Sequence, residues 1–134
     1  MKQLLTKTFC LLVVGMILCG SSAWAQRQDA EEIAISIKAG SSKDLAVYFD
    51  RNVELSINGN EGDYSKNQAE LVIRDFFKKF PPSDFDIVHK GSSGSQIEYF
   101  IGTYDTTGTK FRILIKCKKE GGGSSIYSMD ITKE

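Results

Sequence analysis

Residues 65–82 read SKNQAELVIRDFFKKFPP, and the way this stretch folds constrains everything around it. Ser65, followed three residues later by Gln68, forms a capping box that satisfies two orphan amides at a helix start. Ala69, Val72, Ile73, Phe76, Phe77 and Phe80 then recur at helical spacing as one apolar stripe with polar residues between them. Pro81 and Pro82 end the helix, because neither has an amide hydrogen and the residue before a proline disfavours helical backbone. A stripe this aromatic needs a broad apolar surface to cover it.

That surface is predicted on the C-terminal side, where the hydrophobic period switches to two. Phe85, Ile87 and His89 share one face of a strand; Ile97, Tyr99 and Ile101 share a face of the next; Phe111, Ile113, Ile115 and Cys117 share another; Tyr127, Met129 and Ile131 close the series. The links Gly91 to Ser95, Asp105 to Thr109 and Glu120 to Ser124 are short and made of turn residues, so consecutive strands should be antiparallel neighbours. Before the capping box, Val53, Leu55 and Ile57 alternate with Glu54 and Ser56 as in a half-buried strand, and the turn formers of residues 58–63 end it. Ser41 caps a short helix whose Leu45, Tyr48 and Phe49 point one way. Asp29 to Ala39 reads as a first helix: Ala30, Ile33, Ala34 and Ile37 fall at helical spacing, Asp29 and Glu32 form an acidic capping pair, and Gly40 ends it. The alternation of Ile33, Ile35 and Ile37 would also suit a strand. The expected architecture is α+β, with three helices in the N-terminal half packed on a curved antiparallel sheet.

This order of elements is similar to the nuclear-transport-factor-2-like cone, a cystatin-like fold. The stretches YFDRNVELSINGNEGDYSKNQAELVIRDFF, HKGSSGSQIEYFIGTY and FRILIKCKK more narrowly resemble the exported bacterial family called domain of unknown function 4783. The resemblance implies a long third helix lying in the concavity of a bent sheet, and it carries over no catalytic residue. Cone-fold enzymes isomerise, cyclise or dehydrate small apolar molecules with an aspartate, histidine or tyrosine aimed into the cone. None of their motifs stands out in this chain, and a fold by itself licenses no activity.

The N-terminus sets expectations of compartment. Lys2 and Lys7 precede an apolar run from Phe9 to Leu18 broken only by Gly15, and Ala23-Trp24-Ala25 matches a small-x-small cleavage pattern, so residues 1–25 read as a signal peptide and 26–134 as a single domain. The run is too short to span a bilayer, which takes about 20 residues. Leu18 before Cys19 argues against a lipoprotein signal. The protein is therefore expected to be exported, periplasmic or secreted, and not membrane-embedded after cleavage. Removing the leader takes Cys10 and Cys19 with it and leaves Cys117 as the only thiol, so no intramolecular disulfide is expected. Of 17 basic and 17 acidic residues the leader carries two basic and none acidic, leaving 15 against 17. That balance, without a basic cluster, gives no footprint for nucleic acid.

Candidate site residues are few. His89 is the only histidine, and as a general base it would need a carboxylate within hydrogen-bond reach. Tyr48, Tyr99 and Tyr127 could line a pocket with it, although such tyrosines more often belong to a core with the hydroxyl at a partner or the rim. His89 with Cys117 would make a nucleophile pair only if the fold joined them, and one His with one Cys falls short of a zinc site. Residues 91–95 superficially suggest a phosphate loop but join two strands. Arg112, Lys116 and Lys118 form a basic ladder opposite Phe111, Ile113 and Ile115, as on an ordinary solvated sheet face. The expectation is a noncatalytic module of the bacterial envelope that takes a small apolar ligand or an envelope protein, with no cofactor or metal, and compatible with a homodimer. The alternative is a small-molecule isomerase or lyase using His89 in the cone pocket.

Overall fold

In the computed structural model, the described residues run from Trp24 to Glu134, with side chains from Asp29 onward. The expected leader lies outside them, apart from Trp24 and Ala25. The elements are α1 (Trp24–Lys38), α2 (Ser42–Ala46), β1 (Phe49–Ile57), β2 (Asn60–Ser65), α3 (Lys66–Lys79), β3 (Asp84–Ser93), β4 (Ile97–Thr106), β5 (Thr109–Glu120) and β6 (Gly123–Lys133). The predicted α+β architecture is present: three helices cover one face of a single sheet.

Helix α3 forms as its sequence dictates. The Ser65 side chain accepts from the Gln68 amide, the Gln68 side chain accepts from the Ser65 amide, and Ala69, Ile73, Phe76 and Phe77 are buried. Helix α1 departs from expectation at its start, which lies at Trp24 rather than Asp29. Asp29 and Glu32 are thus inside the helix and do not cap it. Asp29 instead accepts from the Ser124 amide at 3.2 Å, and Glu32 accepts from the Tyr48 hydroxyl, so both acids tie α1 to other elements. Helical spacing sends Ala30, Ile33 and Ile37 into the core and leaves Ile35 exposed, which excludes the strand alternative. Gly40 ends the helix at a positive φ of 66°, a conformation that favours glycine.

The sheet has six strands in the order β2-β1-β6-β5-β4-β3, one more than the alternation predicted. Strand β2 is the addition. Asn58 and Gly59, with φ of 50° and 85°, make a tight hairpin turn, and β2 returns antiparallel to β1 from Asn60 opposite Ile57 to Ser65 opposite Asn52. The links from β3 to β6 form the expected antiparallel meander. The sheet is not wholly antiparallel, however, because β6 returns beside β1 and runs parallel to it. Register shifts between Ile87 and His89, between Lys116 and Cys117, and along β1 help to bend the sheet around the helices.

The core lies between the concave sheet face and the helices. Phe85 on β3, Phe100 and Tyr104 on β4, Phe111, Ile113, Ile115 and Cys117 on β5, and Ile126, Met129 and Ile131 on β6 all point inward and are buried. Phe76 of α3 sits 5.1 Å from Phe111 and 5.5 Å from Tyr104 between ring centroids, and Phe80 lies 4.9 Å from Phe111. Tyr104 donates its hydroxyl to the Phe80 carbonyl at the helix end. Aromatic side chains therefore fill the middle of the cone.

Candidate functional site

With the interior packed, a hollow opens at its margin, where the C-terminal half of α3 passes the β1–β2 turn. It is an open groove of about 710 Å³, within the size range of small-ligand sites. Ile57, Val72, Phe76 and Phe80 supply apolar surface, and Asn58, Asn60, Asp75, Lys78 and Lys79 supply polar groups. Each has a local reason to be there. Val72, Phe76 and Phe80 follow one another around the edge of the apolar stripe of α3, and Ile57 is the last residue of β1, where the sheet stops covering that stripe. The turn is pinned from behind: the Asn58 amide donates to the Ile131 carbonyl, and the Asn58 side-chain oxygen accepts from the Lys133 amide, both at 2.8 Å.

The four residues singled out from the sequence do not gather around this groove. His89 is exposed on the outer face of the sheet, because Val88 is an extra residue in β3: Ile87 pairs with Gly102, but His89 pairs with Ile101. The expected common phase of Phe85, Ile87 and His89 is therefore broken at His89. Its Nε2 atom is 3.5 Å from the Tyr99 hydroxyl, and no carboxylate bonds it among the described residues. Tyr99 is half-buried on the same outer face, since β4 turns Phe100, Gly102 and Tyr104 inward rather than Ile97, Tyr99 and Ile101. In β6 the inward set is Ile126, Met129 and Ile131; Tyr127 is the additional residue at a register shift, with the Lys118 ammonium 5.0 Å from its ring centroid.

Tyr48 borders a shallow hollow of about 290 Å³ shared with Glu32, Ile35 and Val47. Its hydroxyl is already committed to Glu32, and its pKa is pushed up to about 12, chiefly by burial and then by that carboxylate. Cys117 is fully buried, with its pKa likewise raised to about 12 by burial, and it faces the side of the sheet opposite His89. The two cannot form a nucleophile pair. Among the described residues no cluster of three or more His, Cys, Asp or Glu could hold a metal, and no helix is long and apolar enough to cross a membrane.

The sequence reading missed one inward acid. Glu98 shares the phase of Phe100, lies opposite Cys117, pairs with Lys119 at 3.0 Å and is 3.5 Å from the Ser124 hydroxyl. Choosing the other phase of β4 hid it. The groove residues were missed for a different reason. Asn-Gly between two extended runs is a hairpin signal, and it would have brought Asn58 and Asn60 up beside α3.

Comparison with known proteins places these features in context. Residues 30–132 match the family described as domain of unknown function, DUF4783. A crystal structure of a DUF4783 family protein from Bacteroides ovatus is similar at 29% identity with a TM-score of 0.74, over 77% of this chain and 93% of that one. An NTF2-like protein of unknown function from Shewanella baltica aligns at 14% identity with a TM-score of 0.62, over 82% and 91% of the two chains. A domain of unknown function with a cystatin-like fold from Nostoc punctiforme aligns at 12% identity and 0.64, over 86% and 78%. The last two likenesses speak to fold alone. Comparison with curated proteins returns no match.

Proposed function

The chain belongs to the DUF4783 family, a family of unknown function that lends it no activity, and from that premise we propose that it is an exported, noncatalytic module holding a small apolar ligand in the groove beside α3. The observation that carries this reading is the groove's make-up: apolar side chains of α3 and β1 left uncovered at the edge of an otherwise packed core, with polar groups around them. Sites of this kind bind by apolar burial and orient their ligand with a few polar contacts. The alternative, an isomerase or lyase built on His89, requires that imidazole at a cavity, whereas it stands on the outer face.

A neutral fluorescent probe such as N-phenyl-1-naphthylamine tests the groove. The wild-type protein is expected to enhance its emission, and Val72→Arg, which projects a charged chain from a half-buried wall position, to abolish the enhancement while far-UV circular dichroism is unchanged. Equal enhancement by both proteins would overturn the reading. Native mass spectrometry of protein isolated from its own envelope would distinguish a bound small molecule from an envelope protein. Cleavage of the leader is checked by N-terminal sequencing and intact mass: a start at or near Gln26 is expected, and an intact leader or lipid on Cys19 would refute that cleavage.

A further inference from the structure

Resting on that reading, we infer that the groove takes an anionic amphiphile, its apolar tail against Ile57, Val72 and Phe80 and its carboxylate or phosphate head between Lys78, Lys79 and the side-chain amide of Asn58. The lining is asymmetric in both polarity and sign. Apolar surface forms one part, while the charged groups are two lysines against the single carboxylate of Asp75. A local positive excess is notable in a chain whose basic and acidic residues balance at 17 each.

Both lysines are available to a ligand. The ion pairs of the described residues engage Lys38, Arg74, Lys110, Lys118 and Lys119, so neither Lys78 nor Lys79 has a carboxylate within pairing distance. They stand in the last turn of α3, where the partial negative charge of the helix end attracts the ammonium groups but repels an anion, so the head group must sit on the lysines and away from the helix carbonyls. Asn58 adds a donor. Its oxygen is occupied by the Lys133 amide, which leaves its NH₂ group to donate, and a donor recognises an anion rather than a cation. The apolar wall and the cationic rim belong to the same hollow, so one molecule of mixed character satisfies both. A purely apolar ligand would leave the rim unused, and a small inorganic anion would leave the wall uncovered.

The test displaces the neutral probe from the full-length mature protein with four twelve-carbon competitors below their micellar concentrations: laurate, dodecyl phosphate, dodecanol and dodecyltrimethylammonium. At least one anion is expected to compete at a concentration about tenfold lower than the alcohol, as one charge-assisted contact would confer, and the cation to compete worst. The laurate and phosphate arms identify which head group is preferred. In a Lys78→Gln, Lys79→Gln double variant, whose changes are at exposed positions, the anion advantage is expected to shrink to within about twofold while dodecanol is unaffected. Dodecanol matching both anions, or an unchanged advantage in the double variant, overturns the head-group assignment but leaves the apolar groove standing. Undiminished probe binding by Val72→Arg overturns the groove itself, and this inference with it.

Discussion

Cys117 shows how burial replaces reactivity at the scale of one residue. Its ordinary pKa of 9.0 is raised to about 12, mainly by burial, with Glu98 and Asp29 adding to the same direction. The folded chain therefore keeps a proton that the unfolded chain releases, so this contribution to stability is complete below pH 9 and declines as the pH rises from about 9 toward 12. Urea midpoints are expected to fall over that range, and Cys117→Ala to remove the part between pH 9 and 10, before Tyr48 begins to add its own share. Ellman's reagent should label Cys117 only on unfolding; rapid labelling of the native protein would contradict its burial. Two glycines offer a sharper contrast. A methyl group on Gly102 would come within 2.3 Å of the Phe85 ring, and one on Gly91 equally close to the Tyr99 ring. Phe85 is buried and cannot yield, whereas Tyr99 is half-exposed and can swing aside. Gly102→Ala is expected to cost about 1–3 kcal/mol, as overpacking does, and Gly91→Ala clearly less, both read from urea denaturation. Equal costs would show that ring mobility does not decide the matter.

At the scale of elements, legibility followed local chemistry. The capping box, the aromatic stripe and the double proline each act within a few residues, so α3 could be read from the sequence to within a residue of its ends. Ser65→Ala should cost about 1 kcal/mol and lower the midpoint of thermal unfolding; no change would mean that packing alone sets the helix start. The start of α1 was misread because Asp29 and Glu32 resemble a cap but serve tertiary bonds to Ser124 and Tyr48. Strand β2 was invisible to alternation because its residues, Asn60 to Ser65, carry almost no apolar side chains and are held by pairing with β1. The bulge at Val88 lies in the middle of an otherwise alternating run, and it alone carried His89 from the expected inward phase to the outer face.

Across the whole molecule, the aromatic cluster of Phe76, Phe77, Phe80, Tyr104 and Phe111 joins α3 to the middle of the sheet and fills the cone. Phe76 touches all four of the others, so Phe76→Ala is expected to destabilise the fold by about 3–5 kcal/mol, measured by urea denaturation; a loss below about 1 kcal/mol would mean that the cluster readily collapses into the space. With the interior filled, the proposed groove lies at the rim, beside the C-terminal half of α3. The sequence alone determined where α3 stops, that a strand ends at Ile57, that three helices precede the last four strands, and that those four strands form an antiparallel meander. These are matters of period, capping and link length, which neighbouring residues decide among themselves. Only the tertiary structure decided which face of β4 looks inward, where the bulges fall, that β6 lies parallel to β1, and that a groove opens beside Val72. Both phases of β4 are apolar, and the choice between Ile97, Tyr99, Ile101 and Phe100, Tyr104 rests on which set meets α3 across the chain. Such a contact is a free-energy difference between long-range packings, and no local pattern records it.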